Sequence, residues 1–337
     1  MIRYAAIAPI AFRGKVALVE TVLTALAPVL VTLLLGFVAA WHHDFGAKEA
    51  SVLNRMVLLY AVPVTLFVGT VGTPRGELVQ DVAFGVAICV AIVGMYTLVF
   101  LFFRFMLRFS LSESVLAALA ASAPAAPFMG PAILGDLLGK ASAISIAIAA
   151  LVINLIVVPV TIFGLALGKT PIASTSRPTA RRYSGFSEQL LETFKEPMVW
   201  APLLAFALVL CGVNIPPILG HGLSLLSHAS GGVALFASGI ILAAYKIKID
   251  WIVSLLVLLK NVVQPALVLG GLLWLDYGGA VVAKAVLTTA IPTMPIVIVL
   301  AVQYHVAEAQ ASSTLFLSLV GSIVTMGVFI ALTHQVT

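Results

Sequence analysis

Pro124-Ala125-Ala126-Pro127 and Pro292-Thr293-Met294-Pro295 are two proline pairs of identical spacing, each inside a strongly apolar stretch and 168 residues apart. A proline has no amide proton, and its ring clashes with the carbonyl four residues back, so a membrane helix carrying two of them is interrupted. Interrupted backbone persists at membrane depth only where protein or a cavity satisfies the freed groups. Matching interruptions in two halves of an apolar chain point to a transporter's binding site.

The surrounding composition sets the class. Of the 337 residues 62% are hydrophobic and 9% charged, with a mean hydropathy of +1.17, against roughly 25% charged residues in soluble domains. These values indicate an all-α polytopic membrane protein. The net charge of +5 is explained by topology rather than by nucleic acid, since five of eighteen basic residues fall between Lys169 and Lys195 in the one long polar segment. Cys89 and Cys211 lie in apolar runs and suggest neither a disulfide framework nor a metal site.

Windows of about 20 apolar residues mark ten spans: 22–41, 52–71, 82–103, 111–138, 141–167, 197–213, 222–245, 251–275, 278–303 and 311–332. Residues 168–196, rich in Ser, Thr, Pro and Arg, read as a cytoplasmic loop with a short surface helix from Ser187. The loop separates a first five-helix repeat, residues 22–167, from a second, residues 197–337. Residues 1–21, with Arg3, Arg13 and Lys15, read as a surface helix or a disordered segment rather than a signal peptide.

Two landmarks recur at nearly one offset. Leu66-Phe67-Val68-Gly69 closes the second span, and Leu235-Phe236-Ala237-Ser238-Gly239 holds the same place in the seventh. Five spans per copy is odd, so the second copy enters the membrane in the opposite orientation, as an inverted repeat. With the N-terminus outside, eleven Lys and Arg residues face the cytoplasm and five face out; the bias places both termini outside. Trp41, Tyr245, Trp251 and Trp274 fall at span ends, where an interfacial aromatic belt belongs.

Leu53-Asn54-Arg55, Pro63 and Leu66-Phe67, followed by Phe128-Met129-Gly130, Gln264-Pro265, Ala290-Ile291-Pro292-Thr293 and Ala301-Val302-Gln303-Tyr304, resemble in their order the auxin efflux carrier family. Its bacterial members include malonate carriers, and its plant members are the PIN-FORMED proteins. The resemblance covers about residues 22–335. It implies ten helices in inverted five-helix repeats, a scaffold and a transport subdomain, two crossover helices broken at prolines, and a homodimer formed near the first, second and seventh spans. Many members carry an asparagine in each crossover, where it is implicated in holding the substrate carboxylate. Here those positions hold Ala125 or Ala126 in the first crossover, and Thr293 and Met294 in the second.

The candidate substrate-binding residues are therefore Ser122, Pro124, Ala125, Ala126, Pro127, Thr289, Pro292, Thr293, Met294 and Pro295, together with Lys260, Asn261 and Gln264 in the eighth span. Half-helices that start at the breaks would aim amide groups and positive dipole ends at a carboxylate. Lys260 lies about 13 Å along the helix from Trp251. Either its ammonium faces a transport cavity, or its stem snorkels to the cytoplasmic surface. Asp136, a carboxylate near the outer end of the fourth span, is the candidate for a coupling proton, or else a solvated helix-end group. Asn154 reads as an interhelical hydrogen-bond partner.

These features lead to the expectation of a secondary carrier of a small organic carboxylate, a multi-pass protein of the bacterial inner membrane, coupled to H+ or Na+ or to neither. A sodium-coupled symporter of the bile-acid type would share the fold but needs denser oxygen ligands beside the crossovers. A non-transporting receptor is the remaining alternative. Nucleotide motifs, metal-ligand clusters and catalytic triads are not evident, so an enzyme, a further cofactor and a nucleic-acid partner are not expected.

Overall fold

The computed structural model describes residues 15–71, 82–138, 141–168, 197–213, 215–245 and 247–335. Residues 169–196 of the expected 168–196 loop, with its expected surface helix from Ser187, and residues 1–14 lie outside this set. The described residues form twelve helices. They are α1 (Lys15–Trp41), α2 (residues 47–71), α3 (82–106), α4 (Leu111–Ser122), α5 (Ala126–Leu138), α6 (141–167), α7 (Pro197–Cys211), α8 (Pro217–Tyr245), α9 (251–274), α10 (Gly279–Ala290), α11 (Ile296–Tyr304) and α12 (Glu308–His334). Five of them hold a stretch long and apolar enough to cross a membrane: Phe84–Met106, Ser145–Leu167, Ile218–Ala243, Trp251–Trp274 and Glu308–Thr333. The fourth and ninth expected spans are each divided in two, as α4 and α5 and as α10 and α11, because the proline pairs break them.

Local sequence explains several helix starts. Ser110 and Glu113 form a capping box at α4: the Glu113 amide donates to Ser110 Oγ at 3.2 Å, and the Ser110 amide to Glu113 Oε2 at 3.0 Å. Asp250 accepts from the Val253 amide at 2.8 Å to start α9. Inside α2, α6 and α9 the helix widens to a π turn over Val57–Ala61, Ile153–Val157 and Leu259–Val263. Each of these turns ends two residues before a proline, at Pro63, Pro159 and Pro265. The widened turn shifts the hydrogen-bond register ahead of a ring that cannot donate. A fourth, Phe102–Met106, ends α3 without one.

The helices pair reciprocally. α1 packs on α8 and α2 on α7, while α3 packs on α4 and α9 on α10. Likewise α6 contacts α3, α4 and α5, and α12 contacts α9, α10 and α11. The tightest seam is α1 against α8, where a Cβ on Gly36 would overlap the Phe236 carbonyl and one on Gly239 the Leu33 carbonyl. Small residues at such crossings let backbones touch, which is how membrane helices gain packing energy without a hydrophobic driving force. The Leu235–Gly239 landmark thus has a physical role in the α1–α8 contact. Trp41, Trp251 and Trp274 are exposed at helix ends.

Candidate functional site

The two breaks meet. Ala123 leaves α4 in extended conformation and Ile291 does the same after α10. Pro124 and Thr293 then form an antiparallel bridge. The Ala125 amide donates to the Pro292 carbonyl at 2.9 Å, and the Met294 amide to the Ala123 carbonyl at 3.1 Å. Residues 114–126 and 285–301 are buried throughout, so this pairing lies in the interior.

Which carbonyls the prolines free can be worked out from the i to i−4 register. Pro124 leaves the Ala120 carbonyl without its helical donor, and Thr293 Oγ1 donates to it at 2.9 Å. Pro127 does the same to Ala123, which the Met294 amide supplies. The chain's turn away from helix leaves the Ser122 and Thr289 carbonyls unpaired at the ends of α4 and α10. Gln264 Nε2 donates to Ser122 O at 2.8 Å, and Lys260 Nζ to Thr289 O at 2.7 Å. Lys260 also donates to Gln264 Oε1 at 2.7 Å. An ammonium has only donors to offer, so this contact fixes which end of the Gln264 amide faces it. An unmade hydrogen bond at this depth costs several kcal/mol, about what keeps irregular backbone out of lipid.

Lys260 is fully buried. It therefore neither snorkels to the surface nor projects into open space; its ammonium is directed at protein oxygens between the C-terminal ends of α4 and α10. Asn261, beside it in the same π turn, donates to Ser318 O at 2.7 Å and accepts from Ser318 Oγ at 2.6 Å. Ser318 Oγ in turn accepts from the Thr293 amide at 3.0 Å. Ser318 was not among the expected residues. Its signal is Thr314, Ser318 and Ser322, small polar residues four apart on α12 and all buried, which mark one interhelical face.

The structure thus gathers Ser122, Pro124, Ala125, Ala126, Lys260, Asn261, Gln264, Thr289, Pro292, Thr293, Met294 and Pro295 around one crossing. The Thr289 hydroxyl is spent on its own helix, donating to the Ala285 and Val286 carbonyls. Ser122 Oγ differs: it is fully buried and has no hydrogen-bond partner. The side chains of Pro127 and Asp136 lie outside the described set. Asn154 is buried in the π turn of α6 with Oδ1 unpartnered. Lys284 Nζ lies 5.9 Å from the Phe84 ring centroid, within reach of a cation–π contact.

Two cavities approach the crossing. One of about 310 Å³ opens between α3 and α9, apolar apart from Gln264 and Tyr277 on its wall. Another, of about 50 Å³, runs beside Ala117, Ala120 and Thr314. No group of His, Cys, Asp and Glu able to hold a metal ion occurs among the described residues.

Comparison with known proteins identifies the family. The profile of the family described as Membrane transport protein matches residues 21–330. "Uncharacterized transporter YfdV" of Escherichia coli (strain K12) is 31% identical over 316 residues, covering 93% of this chain and 98% of that protein, and the protein of that name in Shigella flexneri matches equally. "Putative malonate transporter" of Rhizobium meliloti is 28% identical over 301 residues, covering 87% and 89%. The chain belongs to this membrane transport protein family, the auxin efflux carriers that its motifs resemble. It is a multi-pass membrane transporter, not an enzyme.

Proposed function

We propose that this family member is a secondary carrier of a small organic carboxylate, working by alternating access around the crossing of α4–α5 with α10–α11. Counted as single broken helices, these two bring the membrane crossings to ten, in inverted repeats of residues 22–167 and 197–337. The reciprocal pairing of α1 with α8 and α2 with α7, and of α3 with α4 and α9 with α10, supports that symmetry. The positive bias of the loops supports both termini outside, in a bacterial inner membrane. A homodimer through helices near α1, α2 and α8 completes the reading.

One observation carries the binding site: the unpartnered, fully buried Ser122 hydroxyl beside two paired breaks from which α5 and α11 start. A helix N-terminus bears about half a positive charge and free amide donors, so two of them match one carboxylate without a cationic side chain. The residues of the crossing are buried; a substrate reaches them only when the surrounding helices move, which is what alternating access requires. The name of the Rhizobium relative makes malonate the first substrate to test. At about 100 mV, inside negative, each charge is worth about 2.3 kcal/mol. Export of a monoanion then needs no coupling, whereas accumulation of a dianion needs cotransported cations or a protonated form.

Counterflow of labelled malonate into proteoliposomes loaded with unlabelled acid tests the proposal, followed by a panel of mono- and dicarboxylates. Exchange of at least one acid is expected; silence across the panel would leave a receptor. Ser122→Ala should raise the half-saturating concentration roughly 10-fold, the value of one hydrogen bond of about 1.4 kcal/mol. The melting temperature should hold, because no protein partner is lost. Unchanged affinity would remove Ser122 from the site.

A further inference from the structure

Four helix ends converge on the crossing, and their charges are not evenly met. The C-terminal ends of α4 and α10 each carry about half a negative charge, roughly one unit together. In its ammonium form Lys260 brings one positive unit to that place, and both of its hydrogen bonds run to oxygen acceptors. It donates to Thr289 O of α10 directly and reaches Ser122 O of α4 through Gln264. Its oxygen partners are a backbone carbonyl and an amide carbonyl, ligands that suit a hard monovalent cation equally well. No Asp or Glu is among the described residues bonded to it.

We infer that Lys260 is a tethered cation, occupying the position between the α4 and α10 C-termini where a free monovalent cation would otherwise be needed. The inference rests on the carboxylate-carrier reading for its purpose: with the C-terminal ends neutralised, the N-terminal ends of α5 and α11 keep a net positive charge for the substrate. It extends that reading by naming the counter-charge and by removing sodium from this site. Lys260 is accordingly a positioning residue, acting on the substrate through the half-helices rather than by contact. Truncating its side chain would turn the position into a site for a soluble cation.

The test needs no substrate, so it stands apart from the transport proposal. Wild-type, Lys260→Ala and Lys260→Met proteins are purified in detergent in sodium, n-propylammonium or choline chloride at equal ionic strength, and their melting temperatures compared. Wild type should melt alike in all three. Lys260→Ala leaves room for the missing propylammonium head and stem, so sodium or n-propylammonium should raise its melting temperature saturably, by about 3 °C or more over choline. Lys260→Met fills that room with an uncharged chain and should show no such rise. Equal melting of Lys260→Ala in the three salts would overturn the inference. So would failure of Lys260→Ala to fold in any of them, or stabilisation of wild type by sodium.

Discussion

Gly239→Leu is expected to cause the largest loss of folded protein of any single substitution considered. A Cβ at Gly239 would overlap the Leu33 carbonyl, and on the facing helix one at Gly36 would overlap that of Phe236. The obstacle is backbone on both sides, so no rotamer change relieves it and α1 and α8 must separate along their contact. Overpacking ordinarily costs about 1–3 kcal/mol. Here the cost should reach at least about 3 kcal/mol, because close packing is the main force holding membrane helices together. The monodisperse peak on size exclusion should collapse and the melting temperature fall. Gly94→Ala is the control, since nothing lies within 4 Å of a Cβ there; it should melt like wild type or slightly higher. If Gly239→Leu matches the control, the seam is not close-packed.

That seam shows what kind of information the sequence carries. The Leu235–Gly239 stretch was recognisable as one half of a repeated landmark, yet its partner was not, since Gly36 lies some two hundred residues away and no local pattern links them. The apolar runs were legible because span length is set by the bilayer, a property external to the fold. Interruption at the proline pairs was legible because proline acts on its own chain, four residues back. The π turns before Pro63, Pro159 and Pro265 follow from the same local rule. Sequence alone leaves them open, because a helix can answer a missing donor by kinking, by widening or by borrowing a side chain, and neighbours decide among these.

The same distinction runs through the site. Depth along α9 identified Lys260 as costly and therefore informative, but offered only cavity or surface as destinations. The third destination, the carbonyls that end two other helices, depends on those ends arriving at one point. Thr293 is expected near substrate from its place between the second pair of prolines; that its hydroxyl serves the carbonyl that Pro124 frees in the other half of the chain depends on the two breaks meeting. The second half therefore supplies the carbonyls freed in the first, and the Ala125 amide returns one hydrogen bond to the Pro292 carbonyl. The exchange makes the crossing a single hydrogen-bonded unit rather than two adjacent kinks.

Asn261→Leu probes that unity. Asn261 exchanges two hydrogen bonds with Ser318, at 2.7 and 2.6 Å, and Ser318 Oγ holds the Thr293 amide at 3.0 Å. Leucine keeps the bulk of the side chain while leaving the Ser318 hydroxyl proton without its acceptor in a dry interior and removing the second donor to the Ser318 carbonyl. Interhelical hydrogen bonds in membranes average about 0.6 kcal/mol and reach about 1.7. Two lost together, with the Thr293 amide loosened, should cost about 1–3 kcal/mol and lower the melting temperature. Ser318→Ala removes the same hydroxyl from the other side, so the double variant should lose less than the sum of the two single losses, by about 1 kcal/mol. Strict additivity would mean that the three groups act separately. In transport, both single variants should slow exchange more than they weaken substrate affinity, because they disturb the support of the breaks and leave Ser122 Oγ and the helix N-termini in place. A variant that binds malonate more weakly at an unchanged maximal rate would instead place Asn261 in contact with the substrate.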